Sequence, residues 1–286
     1  MTTFAQQRSL TVTKHSGERV PYDPDSLRRS LLRAGAGEED VQVILEEIGK
    51  ILYDGIPTSR IYKKAHALLR ARSSGASARY RLKQAISELG PTGYPFEKYV
   101  AGLLAYQGYA TRTGELIEGR CVTHEVDVVA EKGDEVIMVE CKFHSEQGTK
   151  SDVKVPMYIR SRFEDIRHNL SRYYPGREVE FRGWLVTNTR FTEDAVAFGR
   201  CSGLHLISWD YPSEGSLRQR IDLAGLHPVT CLHNLTRKEK KELLSREIVF
   251  VRELLNDPSL LEPLHIPPPR TRRLLREAES LFMPPS

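Results

Sequence analysis

Apolar positions recur with two different periods along the chain, and the changes of period mark its elements. Residues 10–14 alternate, His15-Ser16-Gly17 turns, and residues 19–22 form a second short extended run, so a β-hairpin is expected. Asp23-Pro24-Asp25 opens a helix whose Leu27, Leu31, Leu32 and Ala34 recur at helical spacing until Gly35 and Gly37 stop it. Further helical stretches over 38–53 and 58–71, and a fourth from near Ala76, complete a first module over residues 1–89.

Gly90-Pro91-Thr92-Gly93 breaks the pattern and predicts a domain boundary. Beyond it, Phe96, Val100, Leu103 and Leu104 share one face of a helix running to near Gln107. Strand-like runs follow over 109–116, 122–130 and 136–143, the last two joined by Lys132-Gly133-Asp134. A helix over 153–173, a strand over 179–187, a helix from Thr192-Glu193-Asp194 and a strand over 204–209 close the segment. Strands alternating with helices after an initial hairpin predict an α/β sandwich over 90–211. After the linker 212–216, the remainder to residue 286 reads as a small helical region. In it, Thr236-x-x-Glu239 is a capping box ahead of Leu243-Leu244, with short helices near 247–256 and 269–282. The chain has no internal repeat of solenoid length.

Composition narrows the classes. Forty per cent hydrophobic and 28% charged residues over 286 positions is a globular balance. Lys+Arg 42 against Asp+Glu 38 excludes a histone-like polycation and an acidic tail, while leaving nucleic-acid enzymes open. No apolar run reaches the roughly 18 residues of a membrane span, and the first ten residues lack a signal-peptide core, so no membrane is expected. Cys121, Cys141, Cys201 and Cys231 form no CxxC pair, which argues against a zinc ribbon or redox motif and for a reduced cytoplasmic setting. The charge is divided unevenly. Residues 91–210 hold 15 basic and 18 acidic side chains, yet residues 142–177 within them hold 8 basic and 4 acidic.

The chemistry concentrates at Asp127 and Glu140-Cys141-Lys142, with Glu97 on the preceding helix. On a strand, Glu140 and Lys142 share a face, and a hairpin can bring Asp127 beside Glu140. Two adjacent carboxylates repel unless a cation lies between them, and Mg²⁺ or Mn²⁺ favours this donor set, completed by water and phosphate oxygens. A neighbouring ammonium can orient the attacking water and stabilise charge at phosphorus. E-x-K alone is weak, since Glu239-Lys240-Lys241 is a decoy, and a solvated strand face is the bland alternative. The apolar run Val136-Ile137-Met138-Val139 leading into Glu140 tips the balance toward a site. Glu125 shares the face of Asp127 and reads chiefly as a surface group, while His124 reads as a packing histidine. Asp152, Lys154 and Tyr158 could meet DNA phosphate or merely end a helix, and His144 carries low weight.

Gly93-Tyr94-Pro95-Phe96-Glu97, Gly108-Tyr109, His124 to Val129 and Val139-Glu140-Cys141-Lys142 resemble the PD-(D/E)XK nuclease core, most closely its Mrr-like restriction endonuclease branch. Leu185-Val186-Thr187-Asn188, Phe191-Thr192 and Ala195 extend the resemblance over about 91–210. It implies a restriction-endonuclease-like αβα sandwich, with Asp127 and Glu140 as metal ligands, Lys142 as the catalytic lysine and Glu97 as the helix carboxylate. Many members carry Gln where this chain has Glu140.

Val12-Thr13-Lys14, Gly17, residues 20–27 and Tyr53-Asp54-Gly55-Ile56-x-Thr58-Ser59 resemble the ATP-cone, a regulatory nucleotide-binding domain, over about 9–89. The resemblance implies ATP or dATP as a regulatory ligand, with Val12, Lys14 and Thr58 at the site; Arg79 or Arg81 could add charge. Ser26 and Tyr62 stand where that family often has Lys and His. A degenerate cone kept for dimerisation is the alternative. Residues 236–244, 248–254 and 274–281 resemble helix–hairpin–helix units, with Glu247 near the usual glycine. Arg237, Lys238, Lys240 and Lys241 weakly favour backbone contact, Lys238 and Lys241 above all. The expectation is a metal-dependent DNA endonuclease regulated by adenine nucleotide, acting as a homo-oligomer in restriction or phage defence. A repair or junction nuclease, and a DNA-binding regulator without cleavage, are the alternatives.

Overall fold

The computed structural model describes residues 10–146 and 148–283. Among them, one compact unit takes residues 10–82, 229–242 and 251–283, and a second takes 83–228 and 243–250. The carboxy-terminal segment therefore does not form a unit of its own.

In the first unit, Thr11–Thr13 (β1) pairs antiparallel with Arg19–Pro21 (β2) and parallel with Ile56–Pro57 (β3). Two residues are too few to show a period, so β3 is invisible to a pattern reading. Helices follow at Pro24–Arg33 (α1), Glu38–Gly49 (α2), Thr58–Arg72 (α3) and Ser74–Tyr80 (α4). The stretch expected to be helical to residue 53 stops at Gly49, because the next residues turn back to meet β1. There Gly55, at φ +80°, donates its N–H to Thr11 O, and the Asp54 carboxylate accepts from Thr11 N at 2.9 Å and Thr11 Oγ1 at 2.6 Å. Those hydrogen bonds, with Arg19 beside them, hold Asp54 down at about 2. Val12, Leu31, Val41, Ile44, Ile48, Ile56, Ile61 and Leu69 form the core of the module.

After the helix Leu82–Ser87 (α5), the second unit is built on one five-stranded sheet. Tyr94–Tyr106 (α6) leads into the antiparallel strands Ala110–Glu118 (β4), Thr123–Lys132 (β5) and Glu135–Lys142 (β6). The short strand Lys150–Ser151 (β7) and the helix Lys154–Arg167 (α7) then carry the chain over. Leu170–Tyr173 (α8) precedes Glu180–Thr187 (β8), which lies parallel to β6. Arg190–Phe191 (β9) pairs with β7, and Glu193–Ser202 (α9) leads to His205–Ile207 (β10), parallel to β8. The sheet order is β10-β8-β6-β5-β4. The expected helix over 153–173 divides at Asn169, whose side chain donates to Gly119 O at 2.7 Å instead of serving a helix interior. Alternation along β6 explains the layers. Val136 and Met138 pack with Ile159, Phe163 and Ile166 of α7, while Ile137 and Val139 are buried toward the other face, where α6 lies on β4, β5 and β6.

Ser216 caps Leu217–Ala224 (α10) through a complete capping box. The box expected at Thr236 also forms, Thr236 N donating to Glu239 Oε2 at 2.7 Å and Glu239 N to Thr236 Oγ1 at 3.3 Å, at the head of Arg237–Ser245 (α11). Val251–Asn256 (α12) and Pro268–Ser280 (α13) complete the chain. In the first unit, α4 and α13 pass so closely that a Cβ on Gly75 would lie 2.2 Å from Ser280 O. Helix propensity favours alanine over glycine by about 1 kcal/mol. Here the clash with main chain outweighs it, so Gly75→Ala should destabilise the protein by about 1–3 kcal/mol in a urea titration. No helix among the described residues is long and apolar enough to cross a membrane.

Candidate active site

The antiparallel ladder between β5 and β6 ends at the pair Val128–Val139. One step further the register would set Asp127 opposite Glu140. There the Asp127 carboxylate replaces a main-chain acceptor, its Oδ2 taking the N–H of Cys141 at 2.6 Å. This bond pins Asp127 beside Glu140, so the hairpin does what the spacing suggested. Glu97, in the first turn of α6, faces the same place, since the charges of Asp127 and Glu125 act on it.

Burial dominates the electrostatics. It pushes Glu140 up to about 7, with the Asp127 charge adding to the rise and Arg162 and Lys142 opposing it. Glu97 also rises to about 7, through burial first and then Asp127 and Glu125. Asp127 is raised by burial as well, despite its hydrogen bond from Cys141. Three carboxyls whose proton affinity burial raises therefore act on one another here, two from the strands and one from α6. Among the described residues, no three His, Cys, Asp or Glu side chains group so as to hold a metal between themselves. Two carboxylates do adjoin, and hard oxygen donors of this kind suit Mg²⁺ or Mn²⁺, whose remaining positions water and phosphate oxygens fill.

Lys142 is exposed at the end of β6, and its main chain is fixed from β8: Thr187 Oγ1 donates to Lys142 O at 2.7 Å. Asn188 continues the clamp as a side-chain rung of the ladder, accepting from His144 N at 2.9 Å and donating to His144 O at 2.7 Å. The His144 ring meets Ser151 Oγ at 3.1 Å, a structural contact. His124 pairs with Asp165 at 2.8 Å, in keeping with a packing role. Asp152 accepts from Lys154 N at 3.0 Å, ordering the start of α7.

One residue of the site is absent from the pattern reading. Arg162, on α7, donates from Nη1 to Glu140 Oε2 at 2.7 Å and from Nη2 to Glu125 O. The only hint in the sequence is its spacing, four residues beyond Tyr158 and eight beyond Lys154, which gives the three one helix face. Lys154 and Tyr158 are exposed there.

The remaining candidate residues lie in the first unit, Glu247 excepted. Val12 is buried in its core, Lys14 is exposed and ion-paired with Glu18 at 3.0 Å, and Thr58 opens α3. Arg79 donates from Nε to Ala34 O at 2.7 Å and from Nη1 to Leu281 O at 3.0 Å, a cross-link between main-chain carbonyls. In the basic cluster of α11, Lys238 and Lys241 are exposed, but Lys240 is buried and donates to Thr230 O at 2.7 Å. Basic residues spread over the five positions 237–241 span more than a full helical turn, so with one face packed at least one of them must turn inward. Glu247 adopts φ +61°, the left-handed conformation for which glycine is the usual residue, and Lys98 holds its carboxylate at 3.0 Å.

Residues 90–211 match the family model described as Restriction endonuclease, Mrr_cat, so the segment that carries this strand end is a domain of the restriction endonuclease class. The match coincides with the segment whose motifs carry the Mrr-like resemblance. Residues 227–282 match the model AF1548-like, C-terminal. An uncharacterized protein of Archaeoglobus fulgidus is 30% identical over 185 residues, 64% of this chain and 99% of that protein. The crystal structure of AF1548, a protein of unknown function, superposes with a TM-score of 0.55 at 30% identity, covering 66% of this chain and 98% of that one. The chain belongs to the AF1548-like family. The restriction endonuclease MspJI, solved in complex with a 27-mer oligonucleotide, is 15% identical with a TM-score of 0.32, over 62% of this chain and 36% of that one.

Proposed function

We propose that the protein is a metal-dependent DNA endonuclease whose activity responds to ATP or dATP. The observation that carries this reading is the pinning of Asp127 beside Glu140, two half-buried carboxylates raised by burial, within a restriction endonuclease domain. Asp127 and Glu140 would hold Mg²⁺ or Mn²⁺, which supplies positive charge to a phosphate oxygen and acidifies bound water. Lys142 reaches solvent from the strand end and offsets negative charge growing on the phosphate. Glu97, with a proton affinity near neutrality, can accept or return a proton there at physiological pH.

Lys154 and Tyr158 extend the site along α7 as contacts to the DNA backbone, and Lys238 and Lys241 offer charge from the tail. In the amino-terminal module, Lys14 beside the hairpin and Thr58 at the start of α3 are the groups that would meet nucleotide phosphates. The buried Val12 would shape that site, while Arg79 supports it through Ala34. A role in restriction or phage defence fits such a nuclease, acting as a homo-oligomer in the cytoplasm.

The test is a cleavage assay with plain, branched and modified DNA, in Mg²⁺, Mn²⁺ or EDTA, each with and without ATP and dATP. Metal-dependent scission that Asp127→Asn and Lys142→Ala abolish is expected, with a rate altered by nucleotide. DNA binding with no scission in any metal would instead identify a regulator, and scission confined to branched DNA a junction nuclease.

A further inference from the structure

Arg162 is held on three sides. One guanidinium nitrogen donates to Glu140 Oε2 at 2.7 Å, another to the carbonyl of Glu125, and the group lies 5.6 Å from the ring centroid of Tyr158. Only 14% of its side chain is exposed, whereas Tyr158 beside it is 64% exposed. The carboxylate that Arg162 grips is the one assigned above to the cation. A guanidinium and a divalent cation repel each other, so both cannot share Glu140 without cost. A phosphate diester offers the guanidinium an acceptor of equal charge, likewise with two free oxygens, and the face formed by Lys154, Tyr158 and Arg162 is where the backbone would lie.

We infer that Arg162 is a positioning residue that exchanges Glu140 for a DNA phosphate, so that DNA binding frees the carboxylate and promotes cation loading. The inference rests on the reading of Glu140 as a cation ligand. Without DNA, Arg162 neutralises the carboxylate and keeps cation affinity low. With DNA, the freed Glu140 completes the donor pair with Asp127. Reciprocity requires that the cation in turn strengthen DNA binding. The device would restrain the metal-loaded nuclease until substrate is in place.

The experiment measures Mn²⁺ binding to the full-length protein without DNA, by electron paramagnetic resonance of the free ion, and duplex binding in EDTA across a salt series. Arg162→Gln should bind Mn²⁺ at least about 5-fold more tightly than wild type in the absence of DNA. It should also lower the slope of log affinity against log salt by about 1, as expected for one lost phosphate contact. Arg162→Lys keeps the charge and removes the fork, so its Mn²⁺ affinity should stay near wild type while duplex binding weakens. A purely structural arginine predicts the opposite for the first variant, with Mn²⁺ affinity unchanged or reduced and the salt slope unaltered, and that result overturns the inference. If wild type binds no Mn²⁺ even with duplex present, and Glu140→Gln is indistinguishable from it, the assignment of Glu140 falls first. If Glu140→Gln weakens Mn²⁺ binding while Arg162→Gln changes neither quantity, the site stands and the exchange alone is refuted.

Discussion

Asp127→Asn is expected to lower DNA cleavage by well over 100-fold while leaving the fold intact. Loss of an outer-shell partner of a metal ligand typically costs about 10- to 100-fold, so loss of a ligand carboxylate should cost more. Asparagine retains an acceptor for Cys141 N–H; alanine would orphan that donor at a cost of about 1–3 kcal/mol and confuse chemistry with stability. The substitution also has a signature that needs no substrate. Asp127 is the charge that, after burial, raises Glu140, so Glu140 should titrate below its wild-type value of about 7. An acid whose folded pKa exceeds its unfolded one stabilises most when protonated, and that contribution disappears as pH rises from about 4.5 through 7. In EDTA the variant should therefore gain melting temperature over wild type, with the widest gap at pH 8. Carboxyl NMR titration and a melting series report the two effects, and unchanged Glu140 titration would remove Asp127 from its side.

Glu277→Ala is expected to be the most damaging single substitution in the first unit, at about 3–5 kcal/mol in chemical denaturation. The Glu277 carboxylate is 1% exposed and accepts four donors: His233 N and Nδ1, each at 2.7 Å, Asn234 N at 3.0 Å and Asn234 Nδ2 at 2.7 Å. Alanine strands all four in the interior. His233 would lose the group that fixes its tautomer, and with it the contact of its Nε2 to His66 Nε2 at 2.8 Å. Burial alone would raise the carboxyl of Glu277, but the hydrogen bonds from His233 and Asn234 together outweigh it and hold it below the usual carboxylate range. A depressed acid contributes stability above its unfolded pKa and loses it as pH falls through the folded one. Wild type should thus lose stability in acid, below about pH 4.5, more steeply than the Glu277→Ala variant. Equal acid sensitivity of the two would show that this clasp adds nothing.

Much of the second unit could be read in advance because its information is local. Val136-Ile137-Met138-Val139 announces a buried strand, Thr192 announces a helix start, and Glu140 and Lys142 share a face by the two-residue period of a strand. The turn at Lys132-Gly133-Asp134 sets the register that carries Asp127 to Glu140. Elements without a period of their own were hidden. β3 is two residues long, and α7 and α8 run together in any apolar count because the break depends on Asn169 reaching Gly119. Charge in the tail misleads for a related reason. Lys240 looks like its neighbours in sequence, and only packing shows that it points inward to Thr230.

The sequence by itself determined the helix and the three strands between residues 94 and 142, and that Glu140 and Lys142 share a strand face beside the hairpin arm of Asp127. Each follows from a repeat or a turn within a few residues. Only the tertiary structure decided that Arg162 closes on Glu140, 22 residues away, and that Glu277 receives His233 across 44. The same holds for Arg79 joining Ala34 to Leu281. Those partners are chosen by the need to satisfy buried polar groups wherever the packed elements bring them, a demand that leaves no period along the chain.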